Sequence, residues 1–259
     1  MLKLSIITVN YNNLEGLKKT VESVVNQTWK DFEYVIIDGA SSDGSVKFLE
    51  SQKENINYWI SEPDKGVYHA MNKGIKKAKG EYLLFLNSGD HFYDNSVLKK
   101  NYKYLKKEDI IYSNLHVIEN GKSFIKEYPE TLSFSYFVKD TLPHPATFVK
   151  KEAFKRTNLY KEDFKITSDW KFFIDGVCKY NLTYKKIDTT FSTFYIGGMS
   201  SNHENSSVKF KEIQEVLKNE YPAYLQDIDD ILVNNEIIMN LRKSRIIQLL
   251  VKLRFLNKF

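Results

Sequence analysis

The sequence predicts an α/β protein with a mostly parallel central sheet, flanking helices and a C-terminal helical extension. Over the first hundred residues, short apolar segments alternate with helical patterns, which is typical of a parallel sheet with right-handed crossovers. Residues 80–90, GEYLLFLNSGD, contain an apolar run that ends abruptly in small and polar residues. This run indicates a strand buried on both faces. Because open α/β sheets bind ligands beyond the carboxyl ends of such strands, we expect a ligand near Asp90.

Each element of the first half follows from a local pattern. The strands are β-rich apolar runs, and the helices carry apolar residues at helical spacing after turn or cap residues such as Asn12 and Asn13. The predicted order is strand 4–9, a helix with Leu14, Leu17 and Val21, strand 33–38, turn 39–44, a helix with Val46 and Leu49, strand 57–60, helix 67–78 and strand 82–86.

The second half alternates less regularly. Residues 109–118 and 121–128 are predicted to form a hairpin about Asn120-Gly121, a dipeptide favoured in tight hairpin turns. A helix is predicted over 168–180, with apolar residues on one face and Ser168 as its cap. Strands 182–187 and 191–195, a loop over 197–207 and a helical carboxyl end complete the prediction. We expect a main domain over 1–205, divided near residue 100, and a helical extension over 206–259.

Composition excludes several classes of protein. With 259 residues and 42% apolar content the chain can bury a core, and its single cysteine, Cys178, cannot form an internal disulfide. The apolar start at 4–9 is interrupted by Ser5 and Thr8, so it does not resemble a signal peptide and we expect a cytoplasmic location. A net charge of +5 suits an anionic ligand. No nucleic-acid motif accompanies the scattered lysines, so nucleic acid is not an expected partner.

Three acidic residues follow consecutive predicted strands. Asp38, Asp64 and Asp90 come at or just after the ends of strands 33–38, 57–60 and 82–86. A parallel sheet would bring all three to one edge. Aspartate also fills turns and caps helices, and this alternative applies to each of the three taken singly.

Several stretches together resemble family 2 glycosyltransferases. They are SIITVNYN at 5–12, VIIDGASSDGS at 35–45, NKGI at 72–75 and the segment at 80–90, in the order and spacing of that family. The resemblance implies the GT-A fold, a nucleotide-diphospho-sugar donor, with UDP expected first, and inversion at the anomeric carbon. It implies a divalent cation, Mn²⁺ or Mg²⁺, as cofactor. Residues 1–100 would bind the donor, and residues 101–205 would bind the acceptor.

The resemblance also implies roles for individual residues. Thr8 and Asn10 would lie by the nucleotide, Asp38 would accept a hydrogen bond from the base, Asp64 would lie near the ribose or sugar, Asn87 and Ser88 would belong to the donor site, and Asp90 would bind the metal. Asn87 and Gly89 stand where many family members have aspartate. A single carboxylate then remains for a metal that also takes diphosphate oxygens and water as ligands.

In the second half, the resemblance implies that Asp169 is the catalytic base, at the start of the predicted helix. The alternative is that Asp169 only complements the helix dipole. His144, in LPHPATF, would lie near the acceptor, and His203 would approach the diphosphate or metal. For both histidines the alternative is a polar surface residue in a loop.

These roles predict an inverting glycosyltransferase that extends a bacterial-type surface polysaccharide or a lipid-linked oligosaccharide. A sugar nucleotidyltransferase is disfavoured, because Asn10-Tyr11-Asn12-Asn13 is not a glycine-rich phosphate loop. A noncatalytic sugar- or partner-binding module is the other alternative. The tail 241–259 has six Lys/Arg and no Asp/Glu. Its amphipathic pattern predicts peripheral contact with the inner face of the plasma membrane, or packing on its own domain or on a second subunit as a homodimer.

Overall fold

The strands of the protein form one mixed β-sheet. The computed structural model describes residues 2–197, 205–253 and 255–256. The strands lie in the order β3-β2-β1-β4-β8-β6-β9-β5. β7 pairs antiparallel with the carboxyl-terminal half of β6. Their bounds are β1 Leu4–Asn10, β2 Phe32–Asp38, β3 Tyr58–Ser61, β4 Tyr82–Phe85, β5 His91–Phe92, β6 Ile110–Glu119, β7 Lys122–Lys126, β8 Thr147–Lys150 and β9 Tyr184–Tyr195.

The helices alternate with the strands in the first half and continue to the carboxyl end. Their bounds are α1 Leu14–Val25, α2 Ser45–Ser51, α3 Val67–Lys77, α4 Val97–Asn101, α5 Phe134–Lys139, α6 Lys151–Thr157, α7 Ser168–Cys178, α8 Ser206–Glu220, α9 Pro222–Lys243 and α10 Arg245–Lys252. The predicted alternation of strands and helices in the first half is confirmed, and so is the helix that carries Asp169.

The four strands of the first half that the sequence predicts to be parallel are parallel, and they lie in the order β3-β2-β1-β4, which the sequence did not give. Every residue of β1 is buried, which explains why this strand is an almost continuous apolar run. The register pairs Asn10 with Asp38 and Asp38 with Ser61, so the carboxyl ends of three strands meet at one edge. Gly80 allows this packing, because a Cβ there would lie 2.5 Å from the backbone nitrogen of Ser5.

The second half adds mainly antiparallel pairs. β8 is antiparallel to both β4 and β6, and β6 is parallel to β9. The hairpin of β6 and β7 turns at Asn120 and Gly121, whose φ angles of 50° and 76° are those of a tight hairpin turn. The two strands predicted at 182–187 and 191–195 are one strand, β9, because a register shift beside Asn114 lets pairing with β6 continue through residues 188–190.

The chain divides into two compact units, Met1–Glu212 and Ile213–Phe259. The predicted boundary after residue 205 comes earlier than this division, which falls inside α8. The second unit contains α9, which begins with Pro222 at a position where proline is favoured, and α10. None of the helices in the described ranges is both long enough and apolar enough to cross a membrane.

Candidate active site

A cleft of about 1650 Å³ opens at the carboxyl edge of the parallel strands. Most of the residues singled out in the sequence line it, and they come from both halves of the first unit. Those that line the cleft are Asn10, Asp64, Asn87, Ser88, Asp90, His144 and Asp169. Thr8 and Asp38 are fully buried and are not among the lining residues. His203 lies outside the described residues.

Asp38 lies at the end of β2, where it joins three parts of the chain. Its carboxylate accepts hydrogen bonds from Asn10 Nδ2 at 2.7 Å and Ser61 Oγ at 2.6 Å. It also accepts from the backbone nitrogen and hydroxyl of Ser41, at 2.9 and 2.6 Å. Four donors fill the capacity of a buried carboxylate. In this structure Asp38 therefore orients Asn10 and the loop after β2, and its contact with a base stays a prediction.

Thr8, like Asp38, is buried and forms hydrogen bonds with other parts of the chain. Its hydroxyl donates to the carbonyl oxygen of Leu86 at 2.7 Å and lies 3.0 Å from the hydroxyl of Tyr34. Burial raises the pKa of Tyr34 well above its usual range, so this hydroxyl stays protonated. Thr8 thus ties β1 to the segment after β4, which carries Asn87, and its contact with the nucleotide stays a prediction.

Three side-chain oxygens at the cleft are buried and accept no hydrogen bond from the described protein. They are Asn10 Oδ1, Asp64 Oδ2 and Asn87 Oδ1. The other oxygen of Asp64 is 2.8 Å from His69 Nδ1 and 2.7 Å from Lys73 Nζ. Buried polar groups nearly always have partners, so these acceptors indicate a ligand or ordered water that carries donors.

Asp90 follows a tight turn in which Gly89 has φ of 107°. Thr20 holds this turn, because its hydroxyl donates to the carbonyl oxygen of Asp90 at 2.6 Å and accepts from the nitrogen of Gly89 at 3.0 Å. Burial raises the pKa of the Asp90 carboxyl from its usual 3.8 to about 8, and no basic group of the described chain offsets this effect. A carboxylate held in this way would be stabilised by a cation.

The residues around Asp90 fit a cation that takes most of its ligands from elsewhere. No group of three or more His, Cys, Asp or Glu side chains within the described ranges could hold a metal ion alone. One carboxylate with substrate oxygens and water is an acceptable ligand set for Mg²⁺ or Mn²⁺. Asp90 is the residue that would hold such an ion.

Asp169 lies in the first turn of α7, within a network from four parts of the chain. Its Oδ1 accepts a hydrogen bond from the hydroxyl of Tyr68 at 2.8 Å, and its Oδ2 is 3.7 Å from His144 Nδ1. His144 Nε2 is 2.8 Å from the hydroxyl of Tyr160. Burial lowers the pKa of His144, although the charge of Asp169 opposes this shift, so the imidazole is held neutral.

The backbone just before α7 is held by a contact that the sequence did not reveal. The prediction that Ser168 caps this helix is wrong, because its hydroxyl is buried without a hydrogen-bond partner in the described structure. Instead, the carboxylate of Glu212 accepts from the backbone nitrogens of Lys165, Ile166 and Thr167 at 2.6, 3.2 and 3.0 Å. It also accepts from the hydroxyl of Thr167 at 2.8 Å. No local pattern could indicate a partner 45 residues away.

Other residues at the site were also missed. Asn72, in the NKGI motif, exchanges hydrogen bonds with the backbone of Tyr160, with its Nδ2 donating at 2.9 Å and its Oδ1 accepting at 3.1 Å. It thereby joins α3 to the loop that carries Tyr160. Tyr11 lines the cleft with an exposed ring, and Tyr195 lines it with Lys19 Nζ 4.6 Å from the ring centre. The available signal for Tyr11 was an aromatic residue among the polar residues Asn10, Asn12 and Asn13 directly after a strand.

An α/β sheet with unpaired polar groups at the carboxyl edge of its parallel strands is typical of nucleotide-binding enzymes. Comparison with known proteins gives the class and the family. Residues 5–173 match the model of Glycosyl transferase family 2. The chain belongs to this family and is a glycosyltransferase.

Relatives and solved structures agree with this assignment. An uncharacterized glycosyltransferase of Mycobacterium tuberculosis is 30% identical in an alignment 242 residues long, which covers 85% of this chain and 85% of that protein. The S. aureus TarS 1-349 structure in complex with UDP-GlcNAc matches with a TM-score of 0.66 at 20% identity, over 84% of this chain and 67% of that one. The mannosyltransferase PcManGT of Pyrobaculum calidifontis, in complex with GDP-Man and Mn²⁺, matches with a TM-score of 0.57 at 13% identity, over 77% and 58%. The GT-A fold expected from the sequence is confirmed.

Proposed function

We propose that the chain is an inverting glycosyltransferase that moves a sugar from a nucleotide-diphospho-sugar to a saccharide or lipid-linked acceptor in surface polysaccharide synthesis. The observation that carries this proposal is one cleft that contains the unpaired acceptors Asp64, Asn10 and Asn87, the desolvated Asp90 and the oriented Asp169. Asp64, Asn10 and Asn87 would recognise the donor, Asp90 would stabilise charge through a cation, and Asp169 would remove the proton.

The donor would lie along the edge formed by β1, β2 and the turn after β4. The free oxygens of Asp64 and Asn87 suit the hydroxyl and N–H donors that a nucleoside and a sugar present. The exposed ring of Tyr11 can stack on a base. The TarS match, solved with UDP-GlcNAc, supports a UDP-sugar as the first donor to test.

Asp90 would hold a divalent cation, Mn²⁺ or Mg²⁺. The raised pKa of its carboxyl and the Mn²⁺ in the PcManGT structure support this assignment. When bound, such a cation neutralises the charge of the departing nucleoside diphosphate. By holding the cation, Asp90 would place the diphosphate leaving group on the donor side of the cleft.

Asp169 would remove the proton from the acceptor hydroxyl. Its Oδ2 is the carboxylate oxygen that Tyr68 does not contact, and His144 lies beside it. The acceptor oxygen then forms its bond to the anomeric carbon as the bond to the diphosphate breaks, and attack opposite the leaving group inverts that carbon. His144 would line the acceptor position.

A thermal-shift screen tests the donor and the cation together. We expect UDP or a UDP-sugar, with GDP-mannose and dTDP-sugars as comparisons, to raise the melting temperature more with Mn²⁺ than without it. Asp90→Asn should lose the Mn²⁺-dependent part of the shift. Asp94→Asn, four residues along and outside the cleft lining, should keep it. An equal Mn²⁺-dependent shift in Asp90→Asn would contradict the assignment.

A noncatalytic binding module is the second candidate, because Asn87 and Gly89 replace the acids of many family members. The two functions differ in turnover. We expect release of nucleoside diphosphate from the donor that binds best, with water or a saccharide as acceptor. Donor binding without any release or transfer would instead support the binding module.

The helix α10 supports peripheral contact with the inner face of the plasma membrane, where a lipid-linked acceptor would be found. Two residues of α10, Ile246 and Leu249, are 71 and 55% exposed, and Leu253, directly after the helix, is 56% exposed and continues the same stripe. Lys252 and the neighbouring Lys243 are also exposed, and no acidic residue follows Leu241. Exposed apolar side chains beside basic ones are typical of helices that bind anionic lipid surfaces.

Sedimentation with vesicles tests this contact. The full chain should bind vesicles that contain phosphatidylglycerol and should not bind vesicles of phosphatidylcholine alone. Replacing Ile246 and Leu249 with serine should weaken binding, whereas Ile237→Ser, at an exposed site on α9, should change it little. Unchanged binding in the double variant, or a dimer by light scattering that the double variant converts to monomer, would favour a protein contact for this face.

A further inference from the structure

The hydroxyl of Tyr68 connects the two halves of the first unit at Asp169. Tyr68 is the second residue of α3, is 5% exposed, and reaches residues about a hundred positions further along the chain. Its oxygen is 2.8 Å from Asp169 Oδ1 and 2.5 Å from the carbonyl oxygen of Ile166. A single hydroxyl proton is therefore within reach of two acceptors, of which only one changes charge.

We propose that Tyr68 is a positioning residue for Asp169, which holds Oδ1 so that Oδ2 is the oxygen that takes the proton of the acceptor. This inference depends on the proposed role of Asp169 as the base. A hydrogen bond to an ionised carboxylate is stronger than one to a neutral carbonyl, so the hydroxyl donates to Asp169 while that residue is charged. The carboxylate is then fixed in its rotation, with one oxygen committed and the other available.

Among the residues that the structure describes, Tyr68 is the one whose side chain donates a hydrogen bond to Asp169. From the turn before β8, His144 faces Oδ2, but its Nδ1 is 3.7 Å away, which is beyond an ordinary hydrogen bond. The Tyr160 hydroxyl contacts His144. Lys165, on the loop before α7, lines the same cleft, and no ion pair joins it to Asp169 within the described residues. Burial, together with the charge of Asp169, raises the pKa of Tyr68 well above its usual range, so the hydroxyl keeps its proton.

The second acceptor explains how the buried hydroxyl stays satisfied through the reaction. As the acceptor O–H bond breaks, its proton passes to Oδ2 and the electron pair left on the acceptor oxygen forms the new bond to the anomeric carbon. The bond from that carbon to the diphosphate oxygen breaks, and its electron pair leaves with the nucleoside diphosphate. Asp169 is then neutral and a weaker acceptor. The Tyr68 proton can turn to the carbonyl of Ile166, so neither charge state leaves a buried donor unpaired.

The variant Tyr68→Phe tests the proposal, with nucleoside diphosphate release from the best donor of the thermal-shift screen as the assay. We expect kcat to fall by about 10- to 100-fold with little change in the KM for the donor, because only orientation of the base is lost. In a plot of kcat against pH, the acidic limb should move to higher pH. The reason is that the Asp169 carboxylate, having lost a hydrogen-bond donor, would hold its proton more tightly.

The matched control is Tyr112→Phe, which also removes a tyrosine hydroxyl that donates to a backbone carbonyl, that of Pro129, away from the cleft. It should lower the melting temperature to a similar extent and leave the acidic limb in place. If the acidic limb of the pH profile of Tyr68→Phe stayed at the wild-type pH, the positioning role would be overturned, whether or not kcat fell. If Asp169→Asn kept normal activity, the base itself would be misassigned, and this second result separates the two failures.

Discussion

The two sides of the cleft are built from different kinds of contact. On the proposed donor side, Asn10 and Asp38 are register partners on adjacent parallel strands and are hydrogen-bonded at 2.7 Å. On the proposed base side, Asp169 is held by Tyr68, 101 residues earlier, and the backbone just before α7 is held by Glu212, well beyond it in the chain. One side follows from strand order, whereas the other depends on tertiary contacts between distant segments.

This difference has a functional meaning. A donor site formed by strand ends is fixed as soon as the sheet forms, because the backbone ladders set the register. A base held by side chains from other elements is correctly placed only when α3, α7 and the start of α8 are all in position. We therefore expect substitutions on the base side to affect turnover, and substitutions on the donor side to affect binding.

The largest expected effect is that of Asp169→Asn. The variant keeps the shape of the side chain but cannot take a proton, so transfer should fall by about 10²- to 10⁴-fold while donor binding by calorimetry is retained. Asp163→Asn is the control, because this side chain is 71% exposed and lies outside the cleft lining. If Asp163→Asn lost activity and Asp169→Asn did not, Asp163 would be the base and the contrast between the two sides would fail.

The next effect is the pH dependence of cation binding on the donor side. The pKa of Asp90, raised by burial to about 8, means that below this pH the cation must displace a proton. Cation affinity in the presence of UDP should therefore fall by up to about tenfold for each pH unit below 8. Calorimetry in two buffers of different ionisation enthalpy should detect proton release near neutral pH. No proton release would show that Asp90 is already ionised or is not the ligand.

The raised pKa of Asp90 also affects the free energy of unfolding of the ligand-free protein. Because the folded protein holds the Asp90 proton more tightly than the unfolded chain does, the free energy of unfolding should fall as pH rises from 3.8 towards about 8, and then level off. Asp90→Asn lacks this penalty. We expect its melting temperature to exceed that of the wild type at pH 8, with the difference shrinking towards pH 4. A lower melting temperature for the variant at pH 8 would contradict the assigned burial cost.

A smaller effect is expected from Glu212→Ala on the base side. Three backbone nitrogens and one hydroxyl would lose their acceptor, which should lower the free energy of unfolding by about 1–3 kcal/mol. Glu212→Gln keeps one acceptor oxygen and should lose less. Urea denaturation measures both, with the exposed Glu215→Ala of the same helix as the control. Equal stability of Glu212→Ala and Glu215→Ala would mean that the Glu212 contacts before α7 do not stabilise the fold.

What the sequence could predict follows the same division. The four parallel strands, the Asn120-Gly121 hairpin and α7 follow from local pattern, because burial on two faces, turn geometry and helical periodicity are each encoded in neighbouring residues. The place of Asp64 and Asp90 at one edge then follows from topology. The roles of Glu212 and Tyr68 could not be predicted, because their partners are distant in sequence and no local pattern identifies them. The join of two predicted strands into β9 was missed because it depends on a register shift opposite Asn114.

The smallest expected effect comes from Ser168→Ala and separates local pattern from tertiary contact directly. As a cap, Ser168 would be worth about 1 kcal/mol, and its loss would be measurable by urea denaturation. In the structure its hydroxyl is buried without a partner, and Glu212 binds the nitrogens before the helix. Removing an unsatisfied hydroxyl should change the free energy of unfolding by less than about 0.5 kcal/mol, with a slight gain in stability as the expected sign. A loss near 1 kcal/mol would mean that the serine caps α7 after all, and that the base side is more local than its contacts indicate.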